Sequence, residues 1–192
     1  MQKTTFLLDD DFEHDRFVSY MQGAGWTMKS RDVNGPPDAA ITEEIWTTEK
    51  VYVAVHYIDN PQMVCKAIVV QGRDIVGVVS ELVPRFGGAT PDELVEAVEE
   101  AETVRQLVAA LLRLAVGFKD SLDDDIFDIY KRYSKDDESK VRAAVIQSVL
   151  HTGWPRGVDL VKEMAANDSS PALRDFAAEV HAALTKARPT EE

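Results

Sequence analysis

Residues 136–153 read DDESKVRAAVIQSVLHTG, and the fold of half the chain turns on whether this stretch is a lone helix with a polar preface or one copy of a repeated unit. Thirty-two residues on, the pattern returns: Asp136 aligns with Asp168, Ser139 with Pro171, Val141 with Leu173 and Arg142 with Arg174. Upstream, Ile126 and Ile129 align with Val158 and Val161. Self-similarity at a fixed period marks stacked supersecondary units, each too small to bury its apolar face alone. Each unit here reads as a helix (DDDIFDIYKRY, then RGVDLVKEMA), a short acidic turn, and a second helix (SKVRAAVIQSVLHTG, then PALRDFAAEVHAALTKA). Asp136 and Asp168 suit that turn because a short carboxylate accepts the unpaired N–H groups at a helix start. Ala143, Ala144, Ala177 and Ala178 let neighbouring helices approach closely. Ordinary helical hairpins without a true repeat remain the alternative.

The spacing Asp-x-x-(Ser/Pro)-x-(Val/Leu)-Arg resembles the start of the second helix in HEAT-type repeats, including the armadillo-like and phycobilisome-lyase-like varieties. Asp168, Pro171, Leu173, Arg174 and Ala177 make the better match. The earlier unit departs at Ser139, where the family usually has Pro, and at Val145, where it usually has Ala. A weaker third copy lies in EEAETVRQLVAALLRLAVG, where Val104-Arg105 parallels Val141-Arg142 without the acidic turn. The resemblance spans residues 92–187 and implies antiparallel helix pairs stacked into a curved layer that binds other proteins, with second helices lining the concave side. Their polar positions would be Lys140, Gln147 and His151, then Asp175, Glu179 and Lys186. Trp154 and Tyr133, near helix ends, are residue types enriched in interface hot spots, although a Trp before Pro can equally plug a gap between units. Asp123 and Asp124 complete the expected contact set.

The first 88 residues have a different texture. KTTFLL is a short strand, and Phe17, Tyr20, Met21 and Ala24 form one stripe of a helix stopped by Gly23 and Gly25. Asp9 to Asp11 suit the start of that helix, where the dipole favours negative charge. RDVNGPPDAA reads as a loop. ITEEIWTT, KVYVAVHYI and QMVCKAIVVQG read as strands, with DNPQ as a hairpin connection, and an antiparallel sheet of three or four strands is the simplest assembly. Val51, Val53, Val55 and Tyr57 share one face of the middle run. RDIVGVVSELVPRF then sets Ile75, Val79, Leu82 and Phe86 on one helical face, with Pro84 marking the end, and this helix covers one side of the sheet. Thr90-Pro91-Asp92-Glu93 opens the next helix with a cap, a first-position Pro and a capping box. The expected class is α+β: an α+β domain over 1–88, then a HEAT-like helical domain over 89–192.

The net charge of −13 is shared, with 13 acids against 8 bases in residues 1–88 and 21 against 13 in 89–192. A polyanion is repelled at long range by such a surface, so nucleic acid and anionic membrane are poor partners and a basic protein is a better one. No run of about 18 apolar residues occurs, and the first residues lack the pattern of a signal peptide, so the expected location is the cytoplasm. Cys65 is alone, which excludes an intramolecular disulfide and fits a small buried hydrophobe.

DDDFEHD and DDDIFD raise the question of a metal, but both stand where helices begin, and neither has the alternating ligands and central Gly of a calcium loop. His14, His56, His151 and His181 are scattered, and no HExxH, Cys-x-x-Cys, GxSxG or phosphate loop is present. His56, near Tyr52 and Tyr57, reads as a packing residue. No catalytic residue, metal or cofactor is called for. The reading is a non-enzymatic protein-binding module that uses an acidic HEAT-like surface against a basic partner, as an adaptor or an immunity or antitoxin protein would. The alternative is a ligand-binding or lyase-type protein with an apolar pocket between sheet and helices lined by Trp26, Trp46 or His56. A homodimer through a sheet edge or the end of the helical stack is a third possibility.

Overall fold

The computed structural model describes residues 1–9, 12–37, 39–119 and 123–187, and the chain is α+β. It divides into two compact units, Met1–Thr90 and Pro91–Glu192.

The first unit is a five-stranded antiparallel sheet in the order β1-β5-β4-β3-β2, from β1 (Gln2–Leu7), β2 (Thr27–Asn34), β3 (Ile41–Thr47), β4 (Val53–Asn60) and β5 (Cys65–Gly72). Helices α1 (His14–Gly23) and α2 (Val76–Phe86) lie against one face. Strand register puts Trp46, Val55 and Val70 side by side on that face, with Tyr57 and Ile68 in the next row. Phe17 of α1 is the hub. Its ring meets Trp46 edge-on at 5.9 Å and Phe86 at 5.6 Å, and lies 5.7 Å from Tyr57. Aromatic pairs prefer such edge-to-face contacts because the ring edge is positive and its face negative.

Several expectations for this unit are corrected, the first being the sheet itself, which has five strands rather than three or four because the exposed β2 joins it. RDVNGPPDAA is not all loop, since its first four residues end β2. Seven of the eight residues of β2 are exposed and the strand pairs only with β3, so it offers no apolar alternation to read. α2 continues two residues beyond Pro84. A Pro there forfeits only a late backbone bond, and the buried ring of Phe86 holds the final turn in the core. α1 starts at His14 with Glu13 in the cap position, so Asp9 precedes the helix rather than opening it; Asp10 and Asp11 lie outside the described residues. Val51 also falls just before β4 and is exposed. The connection after β4 is a single 3₁₀ turn in which the Asn60 carboxamide oxygen accepts from the Gln62 and Met63 N–H groups at 3.1 Å each. Gly88 lies against β1, donating to the Leu7 carbonyl, and a Cβ there would sit 2.6 Å from that oxygen.

Among the described residues the second unit is six helices: α3 (Pro91–Glu99), α4 (Val104–Gly117), α5 (Asp124–Tyr133), α6 (Ser139–Thr152), α7 (Pro155–Asn167) and α8 (Pro171–Ala187). Helix α4 packs on α3 and on α6, α6 on α8, α7 on α8, and α5 touches both α6 and α7. Helix α6 is thus central. Val141, Arg142, Ala144, Val145, Ile146, Ser148 and Val149 are all buried, which is why its sequence lacks a strong polar face. Thr103 and Gln106 form a reciprocal capping box on α4, and Asp123 caps α5 through the Ile126 N–H at 2.9 Å. Gly153 ends α6 in the left-handed conformation (φ 65°), which glycine adopts without strain.

The turns before α6 and α8 make the same bonds. Asp136 accepts from the Glu138 N–H at 2.8 Å, and Asp168 accepts from the Ser170 N–H at 2.8 Å. Arg142 donates to the Asp136 carbonyl at 2.7 Å, and Arg174 donates to the Asp168 carbonyl at 2.7 Å. Arg142 also forks onto the Asp168 carboxylate at 2.8 and 3.0 Å, so one turn is tied to the next.

Candidate functional site

The positions expected to contact a partner lie on α5, α6 and α8 and in the connections that precede α5 and α7. Asp175 and Glu179 are exposed one turn apart on α8, with Lys186 further along the same helix and also exposed. Gln147 and His151 are half-buried on α6, and Lys140 is exposed at its start. Asp123 is exposed and spends one carboxylate oxygen as a helix cap. Asp124 is 88% exposed and paired with Arg156, whose guanidinium stands 4.0 Å over the Phe127 ring.

The aromatics divide. Tyr133 is half-buried, with the Arg132 guanidinium 4.7 Å from its ring. Trp154 is only 4% exposed; it meets the Tyr130 ring edge-on and shares its indole N–H between the Phe118 and Lys119 carbonyls at 3.3 and 3.2 Å. The Tyr130 hydroxyl donates to the Leu111 carbonyl at 2.6 Å, and burial holds its pKa well above the ordinary phenol range. Trp154 therefore joins the end of α4 to the start of α7 from inside the unit.

A second constellation, not anticipated from the sequence, lies at one end of the inner face of the N-terminal sheet. Register sets Arg31, Glu44 and Tyr57 in one row across β2, β3 and β4, and Thr42, Asp59 and Lys66 in the next. Glu44 is 0% exposed. Its Oε2 lies 3.1 Å from His14 Nε2 and accepts from the Trp46 indole N–H at 3.3 Å. Its Oε1 lies 3.6 Å from Arg31 Nε, too far for a hydrogen bond, and has no hydrogen-bond partner among the described residues. A buried carboxylate oxygen left unmatched is costly, and such groups concentrate where a fold serves function rather than stability. Over these rows lies an open cavity of about 230 Å³, lined by His14, Arg31, Thr42, Tyr57, Asp59 and Lys66 and by Phe12. Phe12 stacks on Tyr57 at 5.7 Å. Burial first, then the charges of Asp59 and Glu44, raise the Tyr57 pKa far above that of free phenol, so its hydroxyl stays a neutral donor.

The cavity is polar, and neither Trp46, sealed in the core, nor Trp26 or His56 lines it, contrary to the apolar pocket expected. His56 lies on the opposite face of the sheet from Tyr57. Its Nδ1 is 2.7 Å from Glu43 Oε1, and the Gln71 amide N–H donates to its Nε2 at 2.7 Å. Both ring nitrogens are therefore engaged by partners on that face. Glu43 and Gln71 are its hydrogen-bond partners. Among the described residues no group of three or more His, Cys, Asp or Glu side chains could hold a metal ion, and no helix is long and apolar enough to cross a membrane.

Glu44 could have been found: in ITEEIWTT it alternates onto the same face as Trp46, an acid where the pattern calls for an apolar residue. Arg31 gave no signal, because it lies in the strand that reads as loop. Comparison of the chain with protein families, with curated proteins and with solved structures returns no match.

Proposed function

We propose that this chain is a non-enzymatic protein-binding module whose second unit is a HEAT-like helical layer that engages a basic protein through its acidic surface. The observation that carries this reading is the unpaired carboxylate on exposed helical positions. Asp125, Asp128, Asp175 and Glu179 are exposed, and among the described residues no ion pair neutralises them. Like charges left facing water cost stability through mutual repulsion and accelerate encounter with an opposite surface.

The same hydrogen bonds in the turns before α6 and α8 support a repeated unit, and the fork from Arg142 to Asp168 holds the successive turns in a fixed relation. A preformed surface avoids the ordering cost that a mobile one incurs on binding. A cytoplasmic adaptor, or an immunity or antitoxin protein that covers a basic toxin, fits this chemistry; nucleic acid and anionic membrane do not.

The test is affinity capture from the native host's lysate at low and high salt, with mass spectrometry of what is retained. A stoichiometric basic protein that elutes as salt screens the charges supports the reading. Nothing retained at low salt, or a partner indifferent to salt, counts against it.

A further inference from the structure

We propose that the polar cavity at the end of the N-terminal sheet binds a small zwitterion of the α-amino-acid class. Asp59 would receive its ammonium, while Lys66 and the Tyr57 hydroxyl would receive its carboxylate. The inference is independent of the protein-binding reading.

Asp59 and Lys66 both face the cavity. They are directly opposed across β4 and β5, where side chains start about 5 Å apart and oppositely charged pairs ordinarily close. No ion pair joins them among the described residues; both instead line the cavity. A ligand with its own cation and anion a few ångströms apart bridges such a pair, and each contact becomes a charge-assisted hydrogen bond.

The rest of the lining narrows the class. Arg31 in the lining is offset by the buried Glu44 carboxylate 3.6 Å away, which leaves Asp59 and Lys66 as one charge of each sign, so a net-neutral ligand leaves the least uncompensated charge. The volume of about 230 Å³ admits a molecule of amino-acid size. Arg31 and the unmatched Oε1 of Glu44 lie one row away, beside Tyr57, and favour a ligand whose side chain also carries hydrogen-bonding groups. Phe12 supplies the apolar part of the lining, against which the ligand's aliphatic portion would rest.

The experiment uses the full chain, ¹⁵N-labelled, titrated with a pool of the twenty L-amino acids and then with single members of it. Acetate and methylammonium serve as separate controls. The expected result is a saturable shift of the Thr42, Tyr57, Asp59 and Lys66 amides by at least one amino acid at a concentration below about 10 mM, with neither control matching it. Asp59→Asn and Lys66→Gln, both changes at partly exposed positions, should each weaken that binding by about tenfold or more while leaving the melting temperature close to wild type. Absence of any shift overturns the proposal, as does acetate or methylammonium binding as tightly as the amino acid. Unchanged affinity in folded Asp59→Asn does so too.

Discussion

Arg142 gives the sharpest prediction about what holds the helical unit together. Its guanidinium donates twice to Asp168, once each to the Asp136 and Asp137 carbonyls at 2.7 and 3.0 Å, and once to Ser169 Oγ at 3.1 Å. The two side chains are 8% and 2% exposed. Replacing Arg142 by Met keeps the aliphatic stem but leaves a shielded carboxylate and two turn carbonyls without their donor. Removing one member of a buried pair costs about 3–5 kcal/mol, and the polar cavity of about 330 Å³ beside this pair lets water compensate, so we expect about 3 kcal/mol.

Arg174 is the internal control. It occupies the equivalent position one turn later but makes a single bond, to the Asp168 carbonyl, so Arg174→Met should cost only about 1 kcal/mol. Urea denaturation followed by helical circular dichroism reads both values. The pair also predicts a pH dependence. Hydrogen bonding from Arg142 holds the Asp168 pKa below its ordinary 3.8, with the Ser170 N–H and the nearby guanidinium charges adding to it against desolvation. A lowered folded-state pKa means the stabilisation is present above pH 3.8 and is lost as pH falls through the folded value; Asp168→Asn should be less stable at neutral pH and flatter below pH 3.8. An Arg142→Met loss within about 0.5 kcal/mol of zero, or equal losses at Arg142 and Arg174, would refute the reasoning.

Three further outcomes follow from individual contacts. Tyr130→Phe removes a buried donor from the Leu111 carbonyl and should cost about 1–2 kcal/mol in the same denaturation assay. Trp154→Ala opens a cavity where the indole meets Tyr130 and should cost about 3–5 kcal/mol; a variant that is fully stable would place Trp154 on the surface after all. Burial and then Glu81, which accepts from the Tyr20 hydroxyl, push the Tyr20 pKa up to about 12, so Glu81→Gln should bring that phenol to ionise at lower pH in an ultraviolet titration.

The parts of the fold that were legible in the sequence are those where one face is buried. Phe17 and Met21 on α1, Val53, Val55 and Tyr57 on β4, and Leu82 and Phe86 on α2 repeat at the period of their element because water is excluded from one side only. Strand β2 is wet on both faces, and nothing in TMKSRDVN alternates. That Asp136 and Asp168 accept N–H groups at the starts of α6 and α8 was legible, since a two-residue reach is a local matter, whereas the bonds from Arg142 and Arg174 to the carbonyls of those aspartates were not anticipated. That Arg142 would also reach Asp168, 26 residues ahead, was not readable, because it depends on how the helices stack.

The cavity over Glu44 was illegible for the same reason. Its lining comes from α1, β2, β3, β4 and β5 and from Phe12, groups brought together only by register and by helix placement. Among the expected contact residues, Asp175 and Glu179 required only helical spacing to be placed together on α8. The interior role of Trp154 required knowing that the carbonyls of Phe118 and Lys119 lie beside it.

The central claim, recognition of a basic partner by the acidic helical surface, is tested most directly by charge reversal. The wild-type chain and two double variants, Asp175→Lys/Glu179→Lys and Asp125→Lys/Asp128→Lys, would be immobilised at equal density and exposed to native lysate at low salt. All four positions are exposed, so the variants should keep their helical circular dichroism. The account predicts a stoichiometric basic protein on the wild type that is lost from at least one of the reversals. A partner retained equally by all three, or by none, would contradict it.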